Sequence, residues 1–216
     1  MQIDNQCHIQ SFRARNANIR FADDLARHVN KNFPRLSSTK YESLSRSDLY
    51  KDTIQKLMDK IQLMREDMYI KFLSAYGDYI SKSVIMTKTI KKNKLGNCHE
   101  SAILGEIVAK VNGIRNCFVA SLKPKTGNIK DSLDHAVLYV DSMKGAYVID
   151  PWLGFADYVP KALEKYRSEY AHMFDFKKFN TEEMYFDILT KKTPLNPEQS
   201  KRIENLLPDL KLHKQM

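Results

Sequence analysis

Cysteine is scarce in this chain, with three residues at positions 7, 98 and 117 of 216. They have neither the density nor the paired spacing of a disulfide framework, which points to a reducing compartment or to a fold that needs no cross-links. The opening MQIDNQCHIQSF lacks a basic start followed by an apolar core, so no secretory signal peptide is read. The expectation is a cytoplasmic chain. No apolar run approaches the roughly 18 to 20 residues of a membrane span, so a soluble protein is expected. HExxH, CxxC and Asp-rich calcium loops are missing, so no metal and no cofactor are expected. KTGNIK is too short for a phosphate loop and lacks its context, and no internal repeat or low-complexity segment is present.

A net charge of +9 points toward acidic partners, while a hydrophobic share of 43% is enough to bury a core. The lysines are scattered, with doublets only at 91–92, 177–178 and 191–192, which reads as a solvated face. Tyr69, Tyr76 and Tyr79 near Lys71 sit on a helical stripe and read as packing residues rather than base-stacking ones. The partner expected is therefore an acidic protein rather than nucleic acid.

The first ninety residues read as helices. Ala22, Leu25 and Val29 recur at helical spacing before Pro34. A polar connector follows, with Ser45 and Asp48 as a capping-box-like start. Tyr50, Ile54, Leu57, Met58, Ile61, Met68 and Phe72 then form a stripe that one long helix or two stacked ones carry to about Gly77, its methionines in the core. After residue 95 the pattern changes. CHESAILGEIVAKVNG predicts a helix with Ile103, Ile107, Val108 and Val111 on one face, ending at Asn112 and Gly113. IRNCFVASL, DHAVLYV and AYVID predict strands, and the run around Pro160 a helix. MYFDIL is ambiguous between strand and helix. Asn196, Pro197 and Pro208 bracket a last helix. The fold class is α+β, helices first.

Cys98, His135 and Asp150 stand in the order nucleophile, base, orienter, each in a fitting element. A cysteine reacts as its thiolate, which the amide N–H groups and dipole of a helix N-terminus favour; Gly96 allows a tight turn into that helix. If the 141–144 stretch DSMK is a four-residue hairpin loop, His135 lands directly opposite Asp150. A five-residue loop puts Asp150 on the wrong face, so the triad requires an even-length loop or a bulge. Each residue also has an ordinary reading: a core thiol, a satisfied strand histidine, a strand-ending aspartate. His99, adjacent to Cys98 on a helix, does not face the same ligand, and Cys117 reads as a core filler.

The stretches GNCHESAIL, VNGIRNCFVASL, DHAVLYV and AYVIDPWLG, spanning roughly residues 90 to 156, resemble the transglutaminase-like branch of the papain-like cysteine enzymes. The resemblance implies a helix packed on an antiparallel sheet, with residues 91–216 as the core and 1–90 as a helical N-terminal segment, separate or merged into one compact domain. It implies Cys98 as nucleophile, His135 as general base and acid, and Asp150 as orienter. The Cys98 N–H would be half of an oxyanion hole, with Asn93 or the nearer Asn97 as second donor, and Trp152 either walls the site or packs in the core. An aromatic residue often follows the cysteine in that family, and here His99 stands there. The activity implied is acyl transfer at a carboxamide of a protein substrate. Glutamine deamidation or transglutamination comes first and peptide cleavage is the alternative. Small bacterial toxin and effector deamidases have a similar layout. That likeness implies, as the alternative to a cytoplasmic chain, one delivered without a classical signal into a host cell to act on a host protein with an acidic surface. The contrasting class is a non-catalytic basic module that binds an acidic partner.

Overall fold

The computed structural model describes residues 4–33, 37, 51–75, 79–124, 135–170, 184–189 and 195–212; within the first helix, side chains are described from residue 18. Among these the chain is α+β, with six α-helices and one five-stranded antiparallel sheet. Helices α1 (Asp4–Asn32), α2 (Lys51–Ser74), α3 (Tyr79–Asn93) and α4 (Cys98–Val111) come first. Strands β1 (Cys117–Pro124), β2 (Ala136–Val140), β3 (Tyr147–Asp150) and β4 (Phe155–Tyr158) follow, then helix α5 (Val159–Ser168), strand β5 (Met184–Ile188) and helix α6 (Pro197–Leu206). The strand order is β4-β3-β2-β1-β5. MYFDIL is thus a strand, pairing with β1, and β4 is additional to the strands expected. The expected start at Ser45 and Asp48 lies outside the described residues.

The β2–β3 connection corrects one expectation. Val140 pairs with Tyr147 and Leu138 with Ile149, so six residues, 141–146, join the strands rather than four. Loop residues bond elsewhere: the Asp141 N–H donates to Asn116 O, the Ala146 carbonyl accepts from Val159 N, and Gly145 turns at φ +112°. Continuing the ladder puts Asp150 level with Val137 instead of His135. A displacement of two leaves each side chain on its own face, because the side-chain period of a strand is two. His135 and Asp150 are therefore diagonal neighbours on one face.

Helix α4 is central. It packs on β1 and β2, and α1, α3 and α6 pack against it. Nearly all its residues are buried, including Ala102, Leu104, Ile107, Val108 and Val111. A helix surrounded on all sides needs no polar face, and here Ile103, expected in the core stripe, is only half-buried. Helix α2 buries Leu57, Ile61, Met64 and Met68, which follow the i, i+4, i+7, i+11 spacing of a single stripe. Met58 is 49% exposed, correcting its core assignment, because one residue past Leu57 lies about 100° around the helix. Tyr69 also points outward, Tyr79 is half-buried beneath Lys110, and Tyr76 lies outside the described residues.

Helix α1 buries Ala22, Leu25, Ala26 and Val29 and packs on β4, β3 and α4. Two of its side chains reach the sheet. Asp23 Oδ1 accepts from Ala156 N at 3.0 Å, and Asn30 Nδ2 donates to Trp152 O at 2.6 Å. The amino-terminal helix is thus bonded to the turn that follows Asp150.

Candidate active site

Cys98 is the first residue of α4, where the first-turn N–H groups have no acceptor within the helix and the dipole is positive. The entry is fixed from both sides. Gly96 has φ +147°, a conformation that disfavours any residue with a Cβ. Asn97 is the N-cap, and its backbone N–H donates to Glu100 Oε2 at 2.9 Å. Arg65 of α2 holds the same carboxylate with a two-pronged contact at 2.7 and 3.1 Å. Burial alone raises the Glu100 pKa, but the Arg65 guanidinium outweighs it and the carboxyl lies below its ordinary range. A distant helix therefore steadies the turn that presents the sulfur.

His135 leads into β2, its carbonyl accepting from Leu122 N at 3.0 Å, and Asp150 ends β3. The two side chains are fully buried, and His135 Nε2 lies 2.6 Å from Asp150 Oδ2. Asp150 Oδ1 accepts from Trp152 N at 3.0 Å and Leu153 N at 2.9 Å. Tyr166 Oη donates to Oδ2 at 2.9 Å. An ionised carboxylate offers about four acceptor sites, and here four donors fill them. A carboxylate with no proton of its own only accepts, so Nε2 carries the hydrogen and the tautomer is set.

The Cys98 sulfur lies close enough to the same imidazole to act on its charge. With Nε2 given to Asp150, Nδ1 is the nitrogen through which the ring can exchange a proton with another group. Burial opposes a charge on His135, but the Asp150 carboxylate first and the Cys98 sulfur second outweigh it, raising the pKa to about 10. The structure thus places Cys98, His135 and Asp150 in one neighbourhood, with His135 and Asp150 in direct contact. Trp152, 2% exposed, places its ring 5.5 Å from the imidazole, so it both packs in the core and walls the site. Cys98 itself is 6% exposed.

The two oxyanion candidates have the following contacts. Asn93 is exposed at the end of α3 and its amide donates to Thr89 O at 2.8 Å. Asn97 Oδ1 accepts from the Ser37 hydroxyl at 2.8 Å. Three residues that sequence reasoning did not single out also shape the site. Tyr166 caps Asp150, Asn30 clamps the Pro151–Trp152 carbonyls, and Gly105 lets α4 lie against Pro151, where an added Cβ would come within 2.4 Å of Pro151 Cγ. The one sequence signal was the Ala162–Tyr166 spacing of i, i+4, which marks a buried face but not a hydrogen-bond partner. A cavity of about 270 Å³ lies apart from the triad, lined by residues of α2, α3 and α4 that include Phe72, Tyr79 and Glu106. Among the described residues no cluster of three His, Cys, Asp or Glu side chains is placed to hold a metal ion, and no helix is long and apolar enough to cross a membrane. Comparison with protein-family models and with curated proteins finds no match to this chain.

Proposed function

We propose that the chain is a thiol-dependent acyl-transfer enzyme acting on carboxamides of a protein substrate, with Cys98 as nucleophile, His135 as acid and base, and Asp150 as orienter. One observation carries this reading: the imidazole whose charge the Cys98 sulfur influences is held at Nε2 by Asp150 at 2.6 Å. In the proposed sequence the Cys98 thiolate attacks the carboxamide carbonyl and the C–S bond forms. His135 then protonates the nitrogen, the C–N bond breaks, and ammonia leaves. Water, deprotonated by His135, attacks the thioester and releases a carboxylic acid and the thiol; an amine in place of water gives an isopeptide. The Cys98 N–H is the donor assigned to the developing oxyanion. The glutamine side-chain reaction, deamidation or transglutamination, is preferred over peptide cleavage because of the branch resembled. The papain-like core and the delivery of the chain into a host cell belong to the same proposal.

A second reading rests on the near-complete burial of all three side chains. In that reading the cluster is a structural one within a basic interaction module that binds an acidic partner. Incubating candidate acidic proteins with the chain and mapping them by mass spectrometry separates the two. Glutamine-to-glutamate conversion or amine incorporation, lost in Cys98→Ala, supports the enzyme. Backbone cleavage lost in Cys98→Ala moves the activity to a peptidase. Binding that is unchanged by Cys98→Ala, with no covalent change, leaves the interaction module.

A further inference from the structure

We propose that Tyr166 is a positioning residue that acts through Asp150: by sharing Oδ2 with His135, its hydroxyl loosens the carboxylate's hold on the imidazole proton. The inference rests on the acid–base role proposed for His135.

Asp150 is already anchored without Tyr166. Its Oδ1 is fixed by the backbone N–H groups of Trp152 and Leu153, both within the turn directly after the strand. What Tyr166 adds falls on the other oxygen, the one His135 uses. Two donors on one oxygen divide its negative charge, so each bond is weaker than it would be alone. The division matters because His135 must release a proton as well as hold one. A buried imidazolium paired with an unshared carboxylate keeps its proton too firmly to protonate a leaving nitrogen.

The packing favours a specific role over simple filling. Tyr166 is fully buried on α5 and meets the imidazole edge-on at 5.5 Å, with Phe155 against its other side at 5.4 Å. A phenylalanine would fill the same volume, so the hydroxyl is the part that packing does not require. The titratable groups around it are Cys98 from α4, His135 at the start of β2, Asp150 from β3 and Tyr170 beyond α5, with Asp23 of α1 acting on Tyr170. Of these, only Asp150 is bonded to the hydroxyl among the contacts described above.

The test is an NMR titration of the His135 imidazole in the full chain, comparing wild type, Tyr166→Phe and Tyr170→Phe. Loss of the Tyr166 hydroxyl should raise the His135 midpoint by about half to one pH unit, while Tyr170→Phe leaves it unchanged. A residue that merely packs would lower thermal stability and leave the midpoint in place. An unmoved or lowered midpoint in Tyr166→Phe, with wild-type His135 still titrating well above 6.5, overturns the Tyr166 role alone. A wild-type His135 that titrates near 6.5 overturns both this inference and the acid–base reading beneath it. Should Tyr166→Phe fail to fold, the wild-type chain decides. A slowly exchanging Tyr166 hydroxyl proton with cross-peaks to the His135 ring supports the shared bond, and its absence overturns it.

Discussion

Two cysteines flank helix α4, and each has a buried acid–base pair beside it, yet the two neighbourhoods differ in kind. Cys98 opens the helix, and its sulfur acts on the charge of an imidazole backed by Asp150. Cys117 begins β1 beyond the helix's far end, and its thiol donates to Ile114 O at 3.2 Å. Near it lies Lys110, ion-paired to Glu106 at 2.8 Å with both side chains essentially unexposed. Burial pushes the Cys117 thiol up to about 12, and the nearby Lys110 only partly offsets this. Lys110 is likewise opposed by burial and held charged by Glu106. A buried cation near a sulfur is thus not enough. What distinguishes Cys98 is a neighbouring group that can both accept and donate a proton, at the positive end of a helix.

The contrast is broken most severely at Asp150. Replacing it by alanine leaves a buried imidazole N–H, two backbone N–H groups and the Tyr166 hydroxyl facing a void. Asp150→Ala should cost about 3–5 kcal/mol in a urea unfolding curve. The pH dependence comes next. The folded His135 pKa is raised from 6.5 to about 10, so its stabilising contribution is fully present below about pH 6.5. It is lost as the pH rises through about 10. Urea midpoints measured from pH 6 to pH 10.5 should fall across that window, and His135→Gln should flatten the slope.

Smaller effects sharpen the comparison. Gly105→Ala drives a methyl into Pro151, next to Asp150, and should cost about 1–3 kcal/mol by thermal or urea unfolding. It should also slow labelling of Cys98, but not of Cys117. The smallest effect belongs to the other pair. Replacing both members together, as Glu106→Leu with Lys110→Met, removes two desolvated charges at once and should leave stability within about 1 kcal/mol of wild type or raise it. If that double variant unfolds as readily as Asp150→Ala, the two pairs are alike and the distinction drawn between them fails.

Much of the fold was legible because its signals are local. The Ala22, Leu25, Val29 spacing, the glycine before Cys98, and the Asn196–Pro197 and Pro208 punctuation each act within a turn or two of chain. The even-loop condition on His135 and Asp150 needed only the period of a strand, and it survived an error of two residues in register. Where the loop ended was not legible, because the Asn116 and Val159 bonds that draw residues 141 and 146 away from the hairpin are tertiary. The supports of the site are hidden for the same reason. Arg65 lies 35 residues from Glu100, and Asn30 lies 122 residues from Trp152. The contacts of the oxyanion candidates were not legible either: the Asn93 amide donates to Thr89 O and Asn97 Oδ1 accepts from the Ser37 hydroxyl, 60 residues away.

Competitive alkylation near pH 6, with the modified cysteines mapped by peptide mass spectrometry, tests the central claim most directly. Cys98 should react far faster than Cys117, and His135→Ala should abolish that advantage. Equal rates at the two cysteines, or a Cys98 rate untouched by His135→Ala, would contradict it.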